Sequence, residues 1–165
     1  MLLDPERFAR RYQVTPSSIE RLGLETQLEG HRGCVNCLQW SRDGNLLASG
    51  SDDCKVMLWQ PFSKAKSATE IGTDHEGNIF SVKFMPYTSN NLIASGAADK
   101  KIKIHDVSQG KTISTFASHL NRVKRLDVAE DCPNLIWSAS EDGTIMETDI
   151  RASPADTNVL VNLNL

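Results

Sequence analysis

The sequence predicts an all-β fold of three repeated four-stranded blades, arranged as in a propeller, with a short helical segment ahead of them. His31, His75 and His119 follow one another at intervals of 44 residues, and a period of about 40–45 residues is typical of a propeller blade. Each histidine precedes a short apolar run and then a Ser-x-x-x-Asp. Further apolar and β-branched runs, bounded by turn residues, fill residues 28–163 and predict strands.

Residues 1–27 carry no repeat, and we predict two short helices there, Arg7 to Tyr12 and Ser17 to Leu24. Thr15 is a good N-cap, and Pro16 fits the first helical position because its missing N–H would be unpaired there. A basic cluster on the first helix is either a docking surface or a solvated face. That cluster consists of Arg7, Arg10 and Arg11.

The repeat domain is predicted to cover residues 28–165. Consecutive apolar positions such as Leu46-Leu47-Ala48 predict strands that are covered on both faces, as blades are by their neighbours. Asp43-Gly44 and Asp142-Gly143 are signals for tight hairpin turns. The blades span about 28–71, 72–116 and 117–163. Their predicted strands are Val35–Trp40, Leu46–Gly50, Lys55–Trp59, Ser67–Ile71, Ile79–Phe84, Leu92–Gly96, Lys101–His105, Lys111–Phe116, Val123–Val128, Leu135–Ala139, Thr144–Asp149 and Val159–Leu163.

The bulk composition excludes several function classes. A net charge of −3 and a pI near 5.8 provide no global field for nucleic acid or an anionic membrane. No apolar stretch approaches the roughly 18–20 residues that span a bilayer, and the N-terminus lacks the pattern of a secretion signal. We therefore expect a cytoplasmic and/or nuclear protein with protein partners and reduced thiols. The cysteines are Cys34, Cys37, Cys54 and Cys132.

The first repeat reads Gly30-His31, then Asp43-Gly44, then Leu47 to Asp53, and closes on Val56-Met57-Leu58-Trp59. Over residues 28–163 this order resembles the WD-repeat family. The resemblance implies that His, Ser, Asp and Trp form a buried hydrogen-bonded chain in each blade. The second repeat has His105 in the Trp position. The third has Thr148 there, and we expect the last link of that blade to be broken or weakened. The implied network is His31, Ser49, Asp53, Trp59, His75, Ser95, Asp99, His119, Ser138 and Asp142.

Two enzymatic alternatives are weaker. One His/Ser/Asp set would suggest a hydrolase, but the set recurs three times and no Gly-x-Ser-x-Gly elbow surrounds any of these serines. Cys34, Cys37 and His31 would suggest a metal site, but side chains three apart on a strand point to opposite faces. We therefore predict structural triads, with no catalytic residue, metal or cofactor.

The densest basic stretch, Asn121-Arg122-Val123-Lys124-Arg125, is expected near the axis and upper rim of the propeller. Strand alternation separates Arg125 from Arg122 and Lys124. The alternatives are a solvated or internally paired rim and a contact for an acidic peptide or phosphate. The candidate rim residues for a substrate are Asn36, Asp52, Asn78, Asn121, Arg122, Lys124 and Glu141.

The third repeat ends in Thr148-Asp149-Ile150-Arg151. WD-repeat substrate receptors of cullin-four RING ubiquitin ligases often end a repeat in Trp-Asp-x-Arg. In those proteins the Asp and Arg contact the ligase adaptor, the large subunit of the damaged-DNA-binding protein. Asp149 and Arg151 match this ionic half, whereas Thr148 lacks the aromatic ring and Glu147 replaces the usual apolar residue.

A second resemblance extends into the non-repeat residues. Arg10-Arg11-Tyr12-Gln13-Val14-Thr15, Arg21 to Glu25 and Ile79–Phe84 are similar to the adipose-like family of WD and tetratricopeptide repeats proteins. This resemblance implies a ligase substrate receptor in which residues 5–24, together with the Asp-x-Arg pair, face the adaptor. The alternative is a peptide- or histone-binding platform without ligase association.

Three blades are fewer than a closed ring needs, because propellers typically have about 4–8. Two sheet faces would then be exposed, and such apolar patches favour aggregation. The chain is therefore expected to be a fragment or truncated product, a self-associating ring component or a reading frame with missing exons. No tetratricopeptide helices follow the third blade.

Overall fold

In the computed structural model the described residues, 15–24, 26–63, 68–153 and 156–164, form one helical turn and twelve strands. The strands make three consecutive four-stranded antiparallel meanders, in which the first strand is innermost and the fourth outermost. This confirms the all-β, blade-repeat fold that the 44-residue spacing predicts.

The helical segment is much shorter than the sequence predicts. Helix α1 covers Pro16–Ile19, and Leu22 N–H already bonds to the carbonyl of Ile19 in a tighter turn. A helix running to Leu24 is therefore wrong. An isolated helix of this length depends on tertiary packing, yet Ile19, Leu22 and Leu24 are exposed. The predicted helix from Arg7 to Tyr12 lies outside the described residues.

The strand predictions are accurate to within about two residues. Register shifts interrupt each innermost strand near its start, at Asn36, Phe80 and Lys124. The first blade contains β1 Val35–Trp40, β2 Leu47–Ser51, β3 Lys55–Trp59 and β4 Ala68–Gly72. The second contains β5 Ile79–Phe84, β6 Leu92–Ala97, β7 Ile102–Asp106 and β8 Lys111–Phe116. The third contains β9 Val123–Asp127, β10 Leu135–Ser140, β11 Thr144–Asp149 and β12 Thr157–Asn162.

Two apolar cores lie between the blades. The first joins the first and second blades and includes Ala48, Val56, Ile79 and Ile93, all fully buried. The second joins the second and third blades around Ala94, Ile104, Phe116, Val123 and Ile136. Because strand pairing holds each blade internally, burial of these faces is what fixes the blades against one another.

Glycines in β2 and β6 let neighbouring blades approach closely. A Cβ on Gly50 would lie 2.6 Å from Cγ2 of Ile79, and a Cβ on Gly96 would lie 2.7 Å from Cγ1 of Val123. At each boundary an apolar residue of the next innermost strand therefore occupies the space of the missing side chain. The blade spacing depends on this contact.

The outermost strands of the first two blades also touch. A single parallel bridge pairs Gly72 with Lys111, and Gly72 N–H donates to the carbonyl of Gly110 at 3.1 Å.

The outward face of the first blade exposes Leu38 and Trp40, with the Trp40 ring stacked on Phe62 at a centroid distance of 5.8 Å. Outer strand β12 exposes Val159 and Leu160.

Candidate interaction surface

In the first blade, four side chains join the loop before β1, the β2–β3 turn and β3. His31 Nδ1 lies 2.9 Å from Asp53 Oδ2, and His31 Nε2 lies 2.7 Å from Ser49 Oγ. The Trp59 indole N–H donates to the same Ser49 oxygen at 2.8 Å. Burial alone would raise the pKa of Asp53, but hydrogen bonds from Arg32 N–H, His31 and Lys55 N–H lower it overall.

The second blade carries a longer chain of buried polar groups. His75 lies 2.8 Å from Asp99 Oδ2 and 2.7 Å from Ser95 Oγ. His105, which is 0% exposed, replaces the tryptophan and lies 2.6 Å from Ser95 Oγ through Nε2. Its Nδ1 continues to Thr112 Oγ1 at 3.1 Å on the outermost strand. Burial, followed by the charges of His75 and Lys103, lowers the pKa of His105 to about 3.

The third blade has the shortest chain. His119 lies 2.9 Å from Asp142 and 2.7 Å from Ser138 Oγ. Thr148 is 1% exposed, and its hydroxyl has no hydrogen-bond partner among the described residues. The nearest further acceptor for Ser138 Oγ is the carbonyl of Met146, at 3.4 Å. The step that Trp59 makes in the first blade is therefore missing here.

These three chains connect loops to strands inside the blades. Ser49, Ser95 and Ser138 are all buried, and each hydroxyl lies against a histidine ring. A serine nucleophile has to reach a substrate, whereas these hydroxyls are enclosed between strands. The geometry therefore gives them a bonding role within the blade.

The cysteines are free and dispersed. Cys34 is exposed, whereas Cys37 is buried against the second blade with its Sγ 3.8 Å from the carbonyl of Gly50. Burial raises the pKa of the Cys37 thiol to about 11. Over the described ranges, no three His, Cys, Asp or Glu side chains group as metal ligands.

Most of the predicted rim residues lie at the upper rim. This rim is formed by the β2–β3, β6–β7 and β10–β11 turns and by the starts of the innermost strands. Asn36 donates to Asp52 Oδ1 at 2.7 Å and to the carbonyl of Ile79 at 3.1 Å. Glu141 lies 3.5 Å from Lys124 Nζ and 3.9 Å from Arg122 Nε. These rim charges are thus paired within the third blade, whereas the Asn36 amide links the first blade to the second.

Phe80 is a rim residue that the sequence reasoning missed. Lys124 Nζ lies 3.6 Å from the centroid of its ring, so the two residues form a cation–π contact across the second and third blades. Asn36, Phe80 and Lys124 follow one another at the same 44-residue interval as the histidines. Extending that interval to the strand starts would have identified Phe80.

The other two predicted rim residues each accept a hydrogen bond from a turn through their backbone carbonyl. The carbonyl of half-buried Asn78 accepts from Ala98 N–H at 2.9 Å. The carbonyl of exposed Asn121 accepts from Ser140 Oγ at 3.0 Å, and its side chain caps Arg122 N–H. Both residues hold the loop that leads into an innermost strand.

Asp149 and Arg151 lie together at the opposite, lower rim, where β11 ends. Arg151 donates through Nε to Asp149 Oδ1 at 2.9 Å and through Nη2 to Oδ2 at 2.6 Å. The arginine side chain is 67% exposed and the aspartate side chain 28%. Hydrogen bonds from Arg151 lower the pKa of Asp149 to about 2, so this carboxylate is ionised at neutral pH.

No helix among the described residues is both long and apolar enough to cross a membrane.

The model of the "WD domain, G-beta repeat" family matches residues 23–60, 68–106 and 110–147. These segments contain the His, Ser and Asp of all three blades.

Several curated proteins are similar over most of this chain. The human WD and tetratricopeptide repeats protein 1 is 48% identical over 94% of the chain, which spans 23% of that protein. Protein ALTERED SEED GERMINATION 2 of Arabidopsis thaliana is 42% identical over 87% of the chain and 20% of its own length. The human DDB1- and CUL4-associated factor 6 is 35% identical over 94% of the chain and 18% of its own length. The chain thus spans about a fifth of these relatives, and it belongs to the WD-repeat family.

Proposed function

We propose that this chain forms part of a non-enzymatic interaction scaffold that acts as a substrate receptor of a cullin-four RING ubiquitin ligase. The exposed Asp149–Arg151 pair at the lower rim carries the proposal, because it supplies the ionic half of an adaptor contact. Two human relatives, at 35% and 36% identity, are named DDB1- and CUL4-associated factors 6 and 5. Their names support association with the same adaptor here.

The geometry of the pair suits a docking contact. Asp149 takes two of the five guanidinium N–H groups of Arg151 and holds the guanidinium plane in place. The exposed edge of the guanidinium then faces outward, ready for a carbonyl or carboxylate of the adaptor. Because the ion pair is already formed, less side-chain entropy is lost on binding.

The segment of residues 15–24 adds an apolar component. Ile19, Leu22 and Leu24 are all exposed. Exposed large apolar side chains in one short segment are typical of a docking site. We therefore include this segment with Asp149 and Arg151 in the adaptor-facing surface, and we assign the substrate to the upper rim.

Co-purification with the adaptor tests the proposal. We expect Arg151→Ala and Asp149→Ala each to weaken adaptor binding about tenfold or more, because each leaves a charged partner unpaired at the interface. Arg151→Lys should also weaken it, since an ammonium cannot make the two-pronged contact. Lys55→Ala is the matched control, because Lys55 forms an exposed ion pair with Glu70 at the opposite end of an equivalent strand.

The outcomes separate this function from the alternative. Failure of the wild-type chain to recover the adaptor would sink the ligase proposal. The chain would then be a peptide- or histone-binding platform, for which Lys124 over Phe80 offers a contact to an acidic peptide. Equal losses in the Lys55 control would show that the effect is not specific to the Asp149–Arg151 pair.

A further inference from the structure

In the second blade, the donor and the acceptor can be assigned for each hydrogen bond between Thr112, His105 and Ser95. Thr112 Oγ1 lies 2.8 Å from the carbonyl oxygen of Thr73, and this oxygen can only accept. The single hydroxyl proton of Thr112 is therefore used in that bond. His105 Nδ1, 3.1 Å from the same hydroxyl oxygen, then has to be the donor in its own contact with Thr112.

This assignment determines the other nitrogen of His105. A fully buried ring whose pKa is lowered to about 3 is neutral at pH 7 and carries a single N–H. With the proton on Nδ1, the Nε2 of His105 is an acceptor. Ser95 Oγ, at 2.6 Å, must therefore donate its only proton to His105.

The protons on His75 follow from the same count of donors and acceptors. Ser95 Oγ has no proton left for His75 Nε2 at 2.7 Å, so it accepts a proton from that nitrogen. His75 Nδ1 faces the carboxylate of Asp99 at 2.8 Å, which also accepts. We infer that His75 carries both ring protons and forms a buried imidazolium–aspartate pair with Asp99, a state imposed by His105 in the position where the first blade has Trp59.

The first blade shows why the substitution matters. The indole N–H of Trp59 can only donate, and it bonds to Ser49 Oγ at 2.8 Å. The hydroxyl proton of Ser49 is then free to bond to His31 Nε2 at 2.7 Å. His31 consequently needs one proton, on the Nδ1 that faces Asp53. A tryptophan thus permits a neutral histidine, whereas His105 requires a charged one.

The charges around His75 are consistent with this pair. Asp99 accepts backbone N–H bonds from Glu76 at 3.2 Å and Lys101 at 3.1 Å, in addition to the bond from His75. Burial alone would raise the pKa of Asp99, yet these bonds lower it overall, so the carboxylate is ionised. The positive charge of Lys103 acts on His105, and its Nζ is held on the carbonyl of Asp74 at 2.7 Å. Across the blade boundary, the pKa of the Cys54 thiol is raised by burial and by the charges of Asp53, Asp99 and Asp52.

The test is ¹⁵N NMR of the full chain with labelled histidine, at pH 7, with signals assigned by single histidine replacements. Both ring nitrogens of His75 should show the shift of a protonated nitrogen, whereas His31 should show one protonated and one unprotonated nitrogen. A single protonated nitrogen on His75 in the wild-type chain would overturn the inference.

Two variants of Thr112 test how the state is imposed. Thr112→Val removes the acceptor for His105 Nδ1 without changing the side-chain shape, so His105 should move its proton to Nε2 and His75 should lose one of its two. Thr112→Ser keeps the hydroxyl and should leave both signals of His75 unchanged. Two protonated nitrogens on His75 in the valine variant would contradict the role assigned to the Thr112–His105 segment.

Discussion

At the residue scale, one position distinguishes the three blades. It holds Trp59, His105 or Thr148, and these residues respectively complete, extend and interrupt the polar chain of the blade. The sequence spacing identifies this position and its occupants. It does not reveal the bond from His105 to Thr112, because that bond requires the pairing of β7 with β8. The donor and the acceptor in each hydrogen bond of the chain can be assigned only when the distances between the side-chain atoms are known.

Removing the unpaired hydroxyl of Thr148 should increase stability. A buried hydroxyl without a partner costs about 1–3 kcal/mol, and valine has nearly the same shape. We expect Thr148→Val to raise the free energy of unfolding by about 1 kcal/mol, measured by urea denaturation. The matched control is Thr73→Val, because Thr73 is equally buried but donates to the carbonyl of Cys54 at 2.6 Å. That control should lower the free energy of unfolding, and a gain in both variants would contradict the explanation.

At the element scale, strands were predictable and the helix was not. Strand bounds follow from apolar runs between turn residues, and these local signals agree with the tertiary contacts that bury β2, β3, β6 and β7. Helix α1 has local capping signals but no core to pack against, so it ends at Ile19. The side-chain contact of Phe80 with Lys124 crosses a blade boundary and could be recognised only through the repeat interval.

The boundary between the first two blades should be sensitive to one methyl group. Gly50→Ala would place a Cβ 2.6 Å from Cγ2 of Ile79 and 2.8 Å from Sγ of Cys37, so the blades must separate. Overpacking of this kind costs about 1–3 kcal/mol, which thermal or urea unfolding would show. Gly23→Ala is the control, because no described atom lies within 4 Å of the added Cβ. Unchanged stability of the Gly50 variant would mean that the blades separate without cost.

At the scale of the whole molecule, the same histidine–aspartate hydrogen bond is repeated in each blade. A histidine from the preceding loop bonds to an aspartate in the tight turn, as in the His31–Asp53, His75–Asp99 and His119–Asp142 pairs. Because all three pairs lie on the upper rim, they hold the surface that we assign to the substrate. Asp149 and Arg151, which we propose to face the adaptor, lie at the lower rim, so the two proposed contacts do not compete. The blade bounds and the domain boundary at residue 27 stay predictions.

These turn aspartates make the whole fold sensitive to acid. The pKa values of Asp53, Asp99 and Asp142 are all lowered in the folded chain, by hydrogen bonds that outweigh the opposing effect of burial. A group whose pKa is lower folded than unfolded stabilises the fold above its unfolded value of about 3.9, and this stabilisation is lost as the pH falls toward the folded value. We expect the free energy of unfolding, measured by urea titration, to fall gradually below about pH 6.5, because buried His105 keeps a pKa of about 3 whereas a histidine of the unfolded chain becomes charged. The decline should become steeper below about pH 4, where the three aspartates add their own loss. Asp142→Asn should be less stable than the wild-type chain at pH 7 and should show a shallower decline, because one of the three linked carboxylates no longer titrates. A wild-type profile that stays flat from pH 5 to pH 3 would show that these hydrogen bonds do not contribute to the stability of the fold.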